Sequence, residues 1–310
     1  MKATGWLFAA CLACLVSACS DDDEEGNSAT AESAAGSAAS TATGKPASDA
    51  TAYLGAGGIG VTDLDASQAF YAEVFGMSLR YALPVPGYVD ERILYFKDGN
   101  KGSDVVLMHY TDGREHNYKG NPVRLVFYVP NAKTVVEAIR ARGLRVITEP
   151  APMAAFNNTV IGFGLDPDGY GLEIIEASTL TQPYLGAIGL GVADLDKAKA
   201  FYTGVLGMEQ MGDPISVPNV WDELIFRYPS GKGSSVVVMH YTDGREHNYL
   251  NNPVKSVHFV ADSKALTGKV EQAGLPILSQ PNTFEVMGTK ALIGLARDPD
   301  GYTVEMVTTQ

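Results

Sequence analysis

Met108–Tyr118 reads MHYTDGREHNY, and the same eleven residues recur without a change as Met239–Tyr249, 131 positions later. The 310-residue chain is therefore a tandem duplication, two copies of one unit rather than two unrelated domains. The stretches just upstream, Ser78–Gly87 and Glu209–Pro218, have drifted apart at the same offset. Uneven drift implies that something holds the invariant segment fixed, either a ligand cleft or a structural turn. Four of the five histidines, His109, His116, His240 and His247, lie inside it.

Around this segment each copy runs to about 125 residues, 53–177 and 184–308, enough for a core of its own, with Thr179–Pro183 as the join. Within a copy one rhythm occurs twice: an apolar strand, an amphipathic helix, then strands separated by glycine or asparagine turns. Gly57–Val61 is the first strand. Asp65 is expected to cap a helix burying Ala66, Ala69, Phe70, Val74 and Phe75 before Gly76 stops it, and Asp196, Phe201, Tyr202, Val205, Leu206 and Gly207 repeat the pattern. β-Branched strands follow at Ile93–Phe96 and Val105–Tyr110. The rhythm restarts with a strand at Val123–Val129 and an Asn131-capped helix through Val135, Val136 and Ile139 to Gly143. Strands at Leu144–Ile147, Val160–Leu165 and Gly171–Glu176 complete it. Asp166-Pro167-Asp168-Gly169 and Asp298-Pro299-Asp300-Gly301 are β-turns. The fold class is α+β: four βαβββ modules in two pairs, whose mixed, curved sheets form clefts. The pattern leaves open whether modules pair within a copy or across copies.

The N-terminus reads differently. Lys2, the apolar run Trp6–Val16 and then Val16-Ser17-Ala18-Cys19 resemble a bacterial lipobox, so residues 1–19 are expected to be a lipoprotein signal peptide and Cys19 the lipidated mature N-terminus. The run is short for a bilayer span. Cys11 and Cys14 fall in the removed peptide, which leaves no disulfide framework and no cysteine nucleophile. Residues 20–50, acidic at Asp21–Glu25 and then rich in Ala, Ser, Thr and Gly, read as a flexible tether. The domains are then 51–180 and 181–310, anchored to the membrane at the cell envelope, periplasmic or outer membrane. Seven of the 36 acids and two of the 23 bases precede residue 51, leaving a net charge of −8 and no basic stripe, which argues against nucleic acid. A monomer with an internal pseudo-dimer is expected.

The openings GVTDLDASQAFYAEVFGM and GVADLDKAKAFYTGVLGM, with the closings DPDGYGLEIIE and DPDGYTVEMV, resemble the vicinal oxygen chelate superfamily. That superfamily includes glyoxalase I, extradiol dioxygenases and bleomycin-resistance proteins. The resemblance implies a U-shaped sheet holding a divalent ion between four side chains. Its first histidine, seven residues before the Asp of Asp-Leu, is here Ala56 or Ala187. The second ligand, usually Glu, falls on Leu107 and Val238, and the third, His or Gln, on Arg124 and Lys255. Only the closing glutamate survives, as Glu173 and Glu305. One carboxylate does not make a metal site. The expectation is no metal cofactor, with Arg124–Glu173 and Lys255–Glu305 ion pairs in its place. The alternative reading makes these residues solvated strand and turn positions.

His109 and His240, two residues beyond Leu107 and Val238, share their face and join the expected cleft. An alternative relocates a divalent metal to His109, His116 and Glu173, and to His240, His247 and Glu305. Arg114, His116 and Tyr118, with Arg245, His247 and Tyr249, would grip a ligand at the cleft mouth or dock the copies against each other. His258, opposite Phe127 in the repeat, reads as structural. Three functions remain open: metal-free binding of a small organic ligand, as in the bleomycin-resistance branch; a lyase, isomerase or dioxygenase; and a non-catalytic structural or partner-binding lipoprotein.

Overall fold

The computed structural model describes residues 49–97, 102–153, 156, 158–250, 252–286 and 289–309. Cys19, the signal peptide and nearly all of the tether lie outside the described residues. The first copy comprises β1 (Tyr53–Gly60), α1 (Leu64–Phe75), β2 (Ser78–Val85), β3 (Val89–Tyr95), β4 (Asp104–Tyr110), β5 (Val123–Val129), α2 (Ala132–Ala141), β6 (Val146–Met153), β7 (Thr159–Leu165) and β8 (Gly171–Glu176). The second repeats it: β9 (Tyr184–Gly191), α3 (Leu195–Lys199) continuing as a π-helical turn (Ala200–Val205), β10 (Glu209–Val217), β11 (Trp221–Arg227), β12 (Ser235–Tyr241), β13 (Val254–Phe259), α4 (Ser263–Gln272), β14 (Ile277–Val286), β15 (Thr289–Arg297) and β16 (Thr303–Thr309). These are the four βαβββ modules.

The helix caps correct the sequence reading. Asp63, not Asp65, caps α1, its extended backbone letting the carboxylate accept from Asp65 N and Ala66 N, and Asp194 rather than Asp196 does this for α3. The register shift exposes Ala66 and buries Ser67 and Tyr71. The two Asp-Pro-Asp-Gly turns explain that burial. Tyr71 Oη donates to Asp166 Oδ2 at 2.9 Å, and Tyr202 Oη to Asp298 Oδ2 at 3.0 Å. Burial raises both aspartates to about 7 against the hydrogen bonds that favour the anion. The second aspartate of each turn accepts from the chain entering the helix, Thr62 N onto Asp168 and Ala193 N onto Asp300. Each closing turn thus fastens the first helix of its copy.

Modules pair across the copies. One eight-stranded sheet runs β14-β15-β16-β13-β1-β4-β3-β2 and the other β10-β11-β12-β9-β5-β8-β7-β6, so each draws half its strands from each copy. At the seams β1 meets β13 and β5 meets β9, both antiparallel, with Gly58 opposite Lys255 and Arg124 opposite Gly189. Ser103 and Ser234 clasp the sheets reciprocally: each backbone N–H donates to the other's Oγ, at 3.0 and 3.1 Å. Their hydroxyls donate to Leu54 O and Leu185 O.

The helices cover one face of each sheet, where Phe70, Phe75, Leu107 and Phe127 form the main core and the Phe75 and Phe127 rings stack at 4.0 Å. The opposite faces are concave and carry separate apolar clusters. His258 is fully buried, bonded to Tyr228 Oη at 2.9 Å and Ser256 Oγ at 2.8 Å, and burial lowers it to about 3, so it is a neutral core residue.

Candidate functional site

Strand alternation builds a charged triad on the concave face of each sheet. In the first sheet β3 turns Val89, Glu91 and Ile93 inward, β13 supplies Lys255 and β16 supplies Glu305. Lys255 Nζ donates to Glu91 Oε1 at 2.7 Å and to Glu305 Oε2 at 2.8 Å. Its stem crosses Gly58, where a Cβ would stand 2.5 Å from Lys255 Cγ, so only glycine lets it pass. Burial favours the neutral amine, but the two carboxylates outweigh it and keep the ammonium well above its ordinary range. In the second sheet Arg124 Nη2 reaches Glu223 Oε2 at 2.6 Å and Arg124 Nε reaches Glu173 Oε2 at 3.1 Å, with the guanidinium 5.3 Å from the Trp221 ring and its stem across Gly189. Burial pushes the Glu173 carboxyl upward, Arg124 opposes this, and Glu223 reinforces it.

Arg124 with Glu173, and Lys255 with Glu305, therefore meet. Sequence reasoning missed Glu91 and Glu223, which come from the other copy. The alternation Val89, Glu91, Ile93 was the signal that could have revealed them.

Other expected positions lie elsewhere. Leu107 and Val238 point into the helix-side core, and Val106, Met108, Val237 and Met239 face the clefts at that level. His109 and His240 share the face of Leu107 and Val238, as alternation requires, so they too turn from the clefts. Their Nδ1 atoms bond Val61 O and Val192 O, both at 2.9 Å, and their rings lie beside Tyr118 and Tyr249. His116 bonds Asp112 at 3.0 Å, stacks on Tyr110 at 4.1 Å and lies apart from Glu173, which pairs with Arg124 in the other sheet. His247 does the same with Asp243 and Tyr241, so neither relocated metal set assembles. Arg114 and Arg245 pair with the aspartates two residues earlier, and Tyr118 and Tyr249 accept from Tyr110 N and Tyr241 N. The turn of the invariant segment, Asp112–Tyr118, is thus held largely by bonds among its own side chains and main chain, and neither copy's turn is among the residues lining the cavity.

The two concave faces differ. In the second sheet Trp221, Phe156 and Phe163 fill the space, and the Arg124, Glu173 and Glu223 side chains are 5%, 0% and 0% exposed. In the first sheet Val89 occupies the place of Trp221 and Leu295 that of Phe163. There Lys255, Glu91 and Glu305 are 8%, 14% and 15% exposed and line a cavity of about 1050 Å³. The cavity crosses the near ends of both concave faces, over Ala56, Val106, Val257, Ala187, Ile225 and Val237, but only the first triad opens into it.

The resemblance implies a divalent ion at these triads, and the residues do not fit one. Each pair of carboxylates already converges on a fixed organic cation, and the remaining neighbours are alkyl groups, thioethers and, around Arg124, aromatic rings, poor partners for a hard ion. Among the described residues, no cluster of three or more His, Cys, Asp or Glu could hold a metal.

Residues 52–174 and 184–306 each match the model of the Glyoxalase/Bleomycin resistance protein/Dioxygenase superfamily. A lactoylglutathione lyase from Arabidopsis thaliana is 27% identical, over 80% of this chain and 88% of that protein. The lactoylglutathione lyase of Salmonella typhimurium is 35% identical over 118 residues, 38% of this chain and 87% of its own. Crystalline glyoxalase I from Zea mays superposes with a TM-score of 0.67 at 26% identity, over 83% of this chain and 92% of that one. With two consecutive matches spanning most of its length, the chain belongs to the glyoxalase/bleomycin resistance protein/dioxygenase superfamily.

Proposed function

We propose that the protein binds a small organic molecule in the cavity onto which the Lys255 triad opens, with the Lys255 ammonium and its two carboxylates standing where metal-dependent relatives hold an ion. The observation that carries this reading is the contrast between the clefts. One fold and one charged motif occur twice, yet bulky side chains seal one triad and small ones leave the other open. A cavity of about 1050 Å³ with apolar walls and a few convergent polar groups suits a small organic ligand. The uncharged fluorophore N-phenyl-1-naphthylamine should bind once per chain, and Ala56→Trp, which fills the cavity floor, should abolish binding while leaving the melting temperature of the unliganded protein within a few degrees. Undiminished binding in that variant would overturn the assignment.

The likeness to lactoylglutathione lyases supports a second reading, a lyase of that class. Protein purified without chelators should contain well below one equivalent of Zn, Mn, Fe or Ni. A full equivalent that disappears in a Glu91→Gln, Glu305→Gln variant would favour the lyase.

The Val16-Ser17-Ala18-Cys19 motif supports attachment to the cell envelope through a lipid on Cys19, in the periplasm or at the outer membrane. No helix among the described residues is long and apolar enough to cross a membrane. Cys19→Ser should move the full-length protein from the membrane fraction to the soluble one, and continued sedimentation with membranes would exclude the anchor.

A further inference from the structure

The copies present pseudo-equivalent corners to the cavity, and the corners differ in charge. In the first copy Arg80 Nε donates to Asp104 Oδ2 at 2.9 Å, a neutral pair. In the second copy β12 begins with Ser235 where β4 begins with Asp104, and β11 ends with Arg227 where β3 ends with Tyr95. The alternation that turns Trp221, Glu223 and Ile225 to the concave face turns Arg227 there as well, and it lines the cavity beside Lys232. Arg227 stands across the β10–β11 ladder from Glu209, but the hydrogen bonds its guanidinium makes among the described residues go to main-chain carbonyls. Its Nη2 donates to Gly231 O, and to Gly233 O at 3.3 Å, while its Nε is buried without a hydrogen-bond partner.

A partly desolvated guanidinium held by two carbonyls retains donors for a planar anion. The other polar end of the cavity has the opposite sign. Lys255 offsets only one of its two glutamates, so that triad is net negative and repels an anion. Between the two ends lie Ala187, Ile225, Val237 and Val257, an apolar floor.

We propose that Arg227, assisted by Lys232, anchors the anionic end of an amphipathic organic anion whose apolar body lies across this floor toward Lys255. This rests on the cavity being the binding site. It goes beyond that reading by fixing the ligand's charge and its orientation.

Two dyes that share one body test it. 8-Anilino-1-naphthalenesulfonate and N-phenyl-1-naphthylamine differ by the sulfonate alone. The sulfonate should bind on the order of tenfold more tightly, and Arg227→Met should remove that advantage while leaving the neutral dye within about twofold. Ser235→Asp installs the acid that neutralises the first corner and should weaken the sulfonate similarly without truncating Arg227, which separates charge from folding. Equal affinity of the two dyes for the unmodified protein, or sulfonate binding indifferent to both variants, overturns the anion anchor and leaves the cavity reading standing. If neither dye binds, both fall.

Discussion

Arg124 shows how a single side chain can be misread by half. Charge complementarity read from the sequence pairs it with Glu173, but its guanidinium is shared with Glu223, and both carboxylates are completely buried. Arg124→Met should therefore cost about 3–5 kcal/mol, because it strands two charges. Adding Glu173→Leu should recover only part of the loss, since Glu223 remains buried without its cation, whereas a triple variant with Glu223→Leu should recover most of it. Urea denaturation of the series measures this, and a double variant as stable as the triple would exclude Glu223 from the energetics. The cations and the closing glutamates were legible in the sequence because the family motif marks their positions. Glu91 and Glu223 were not, because each is donated by the opposite copy. The face of His109 was lost for another reason: alternation fixes which residues share a face, but naming that face needs an anchor. With Leu107 taken as inward, every neighbour inherited the same inversion.

At the scale of elements, legibility followed burial. The strands β5 and β8 lie inside a sheet with both faces covered, so Val123–Val129 and Gly171–Glu176 are largely apolar stretches, interrupted inside only by Arg124 and Glu173, whose ends are readable. The edge strands β2 and β10 are partly exposed and carry mixed residues, which explains both why they were missed and why they have drifted between copies. In the invariant segment Asp112 bonds both Arg114 and His116, and Asp243 does the same with Arg245 and His247. In β11, Trp221 plugs the second cleft where β3 places Val89. Trp221→Val should cost roughly 2–4 kcal/mol through the void it opens and the loss of ring contact with Arg124. It should also raise N-phenyl-1-naphthylamine stoichiometry from one toward two per chain. Unchanged stoichiometry with the expected destabilisation would mean that the second cleft collapses rather than opens.

For the whole molecule, the decisive fact is which modules share a sheet, and composition and periodicity are silent on it. Both arrangements use the same strands, helices and turns. They differ only in whether β1 meets β5 of its own copy or β13 of the other, and the structure shows β1 against β13 and β5 against β9. Each sheet is therefore an interface between copies, held at its seam by main-chain hydrogen bonds, while the reciprocal Ser103–Ser234 clasp ties one sheet to the other. A single copy cut at 49–180 has an unpaired β1 and an unpaired β5, two long apolar edges that cannot remain exposed. Because the copies are related by a pseudo-twofold arrangement, that fragment can satisfy both edges by pairing with a second molecule of itself, β1 against β5 in each direction. It should therefore sediment as a dimer with a concentration-dependent melting temperature, and coexpression with 181–310 should yield a one-to-one complex in preference. A fragment that stays monomeric and melts cooperatively at every concentration would show that the modules of one copy close a sheet on their own, and that the cross-copy pairing is one of two accessible arrangements.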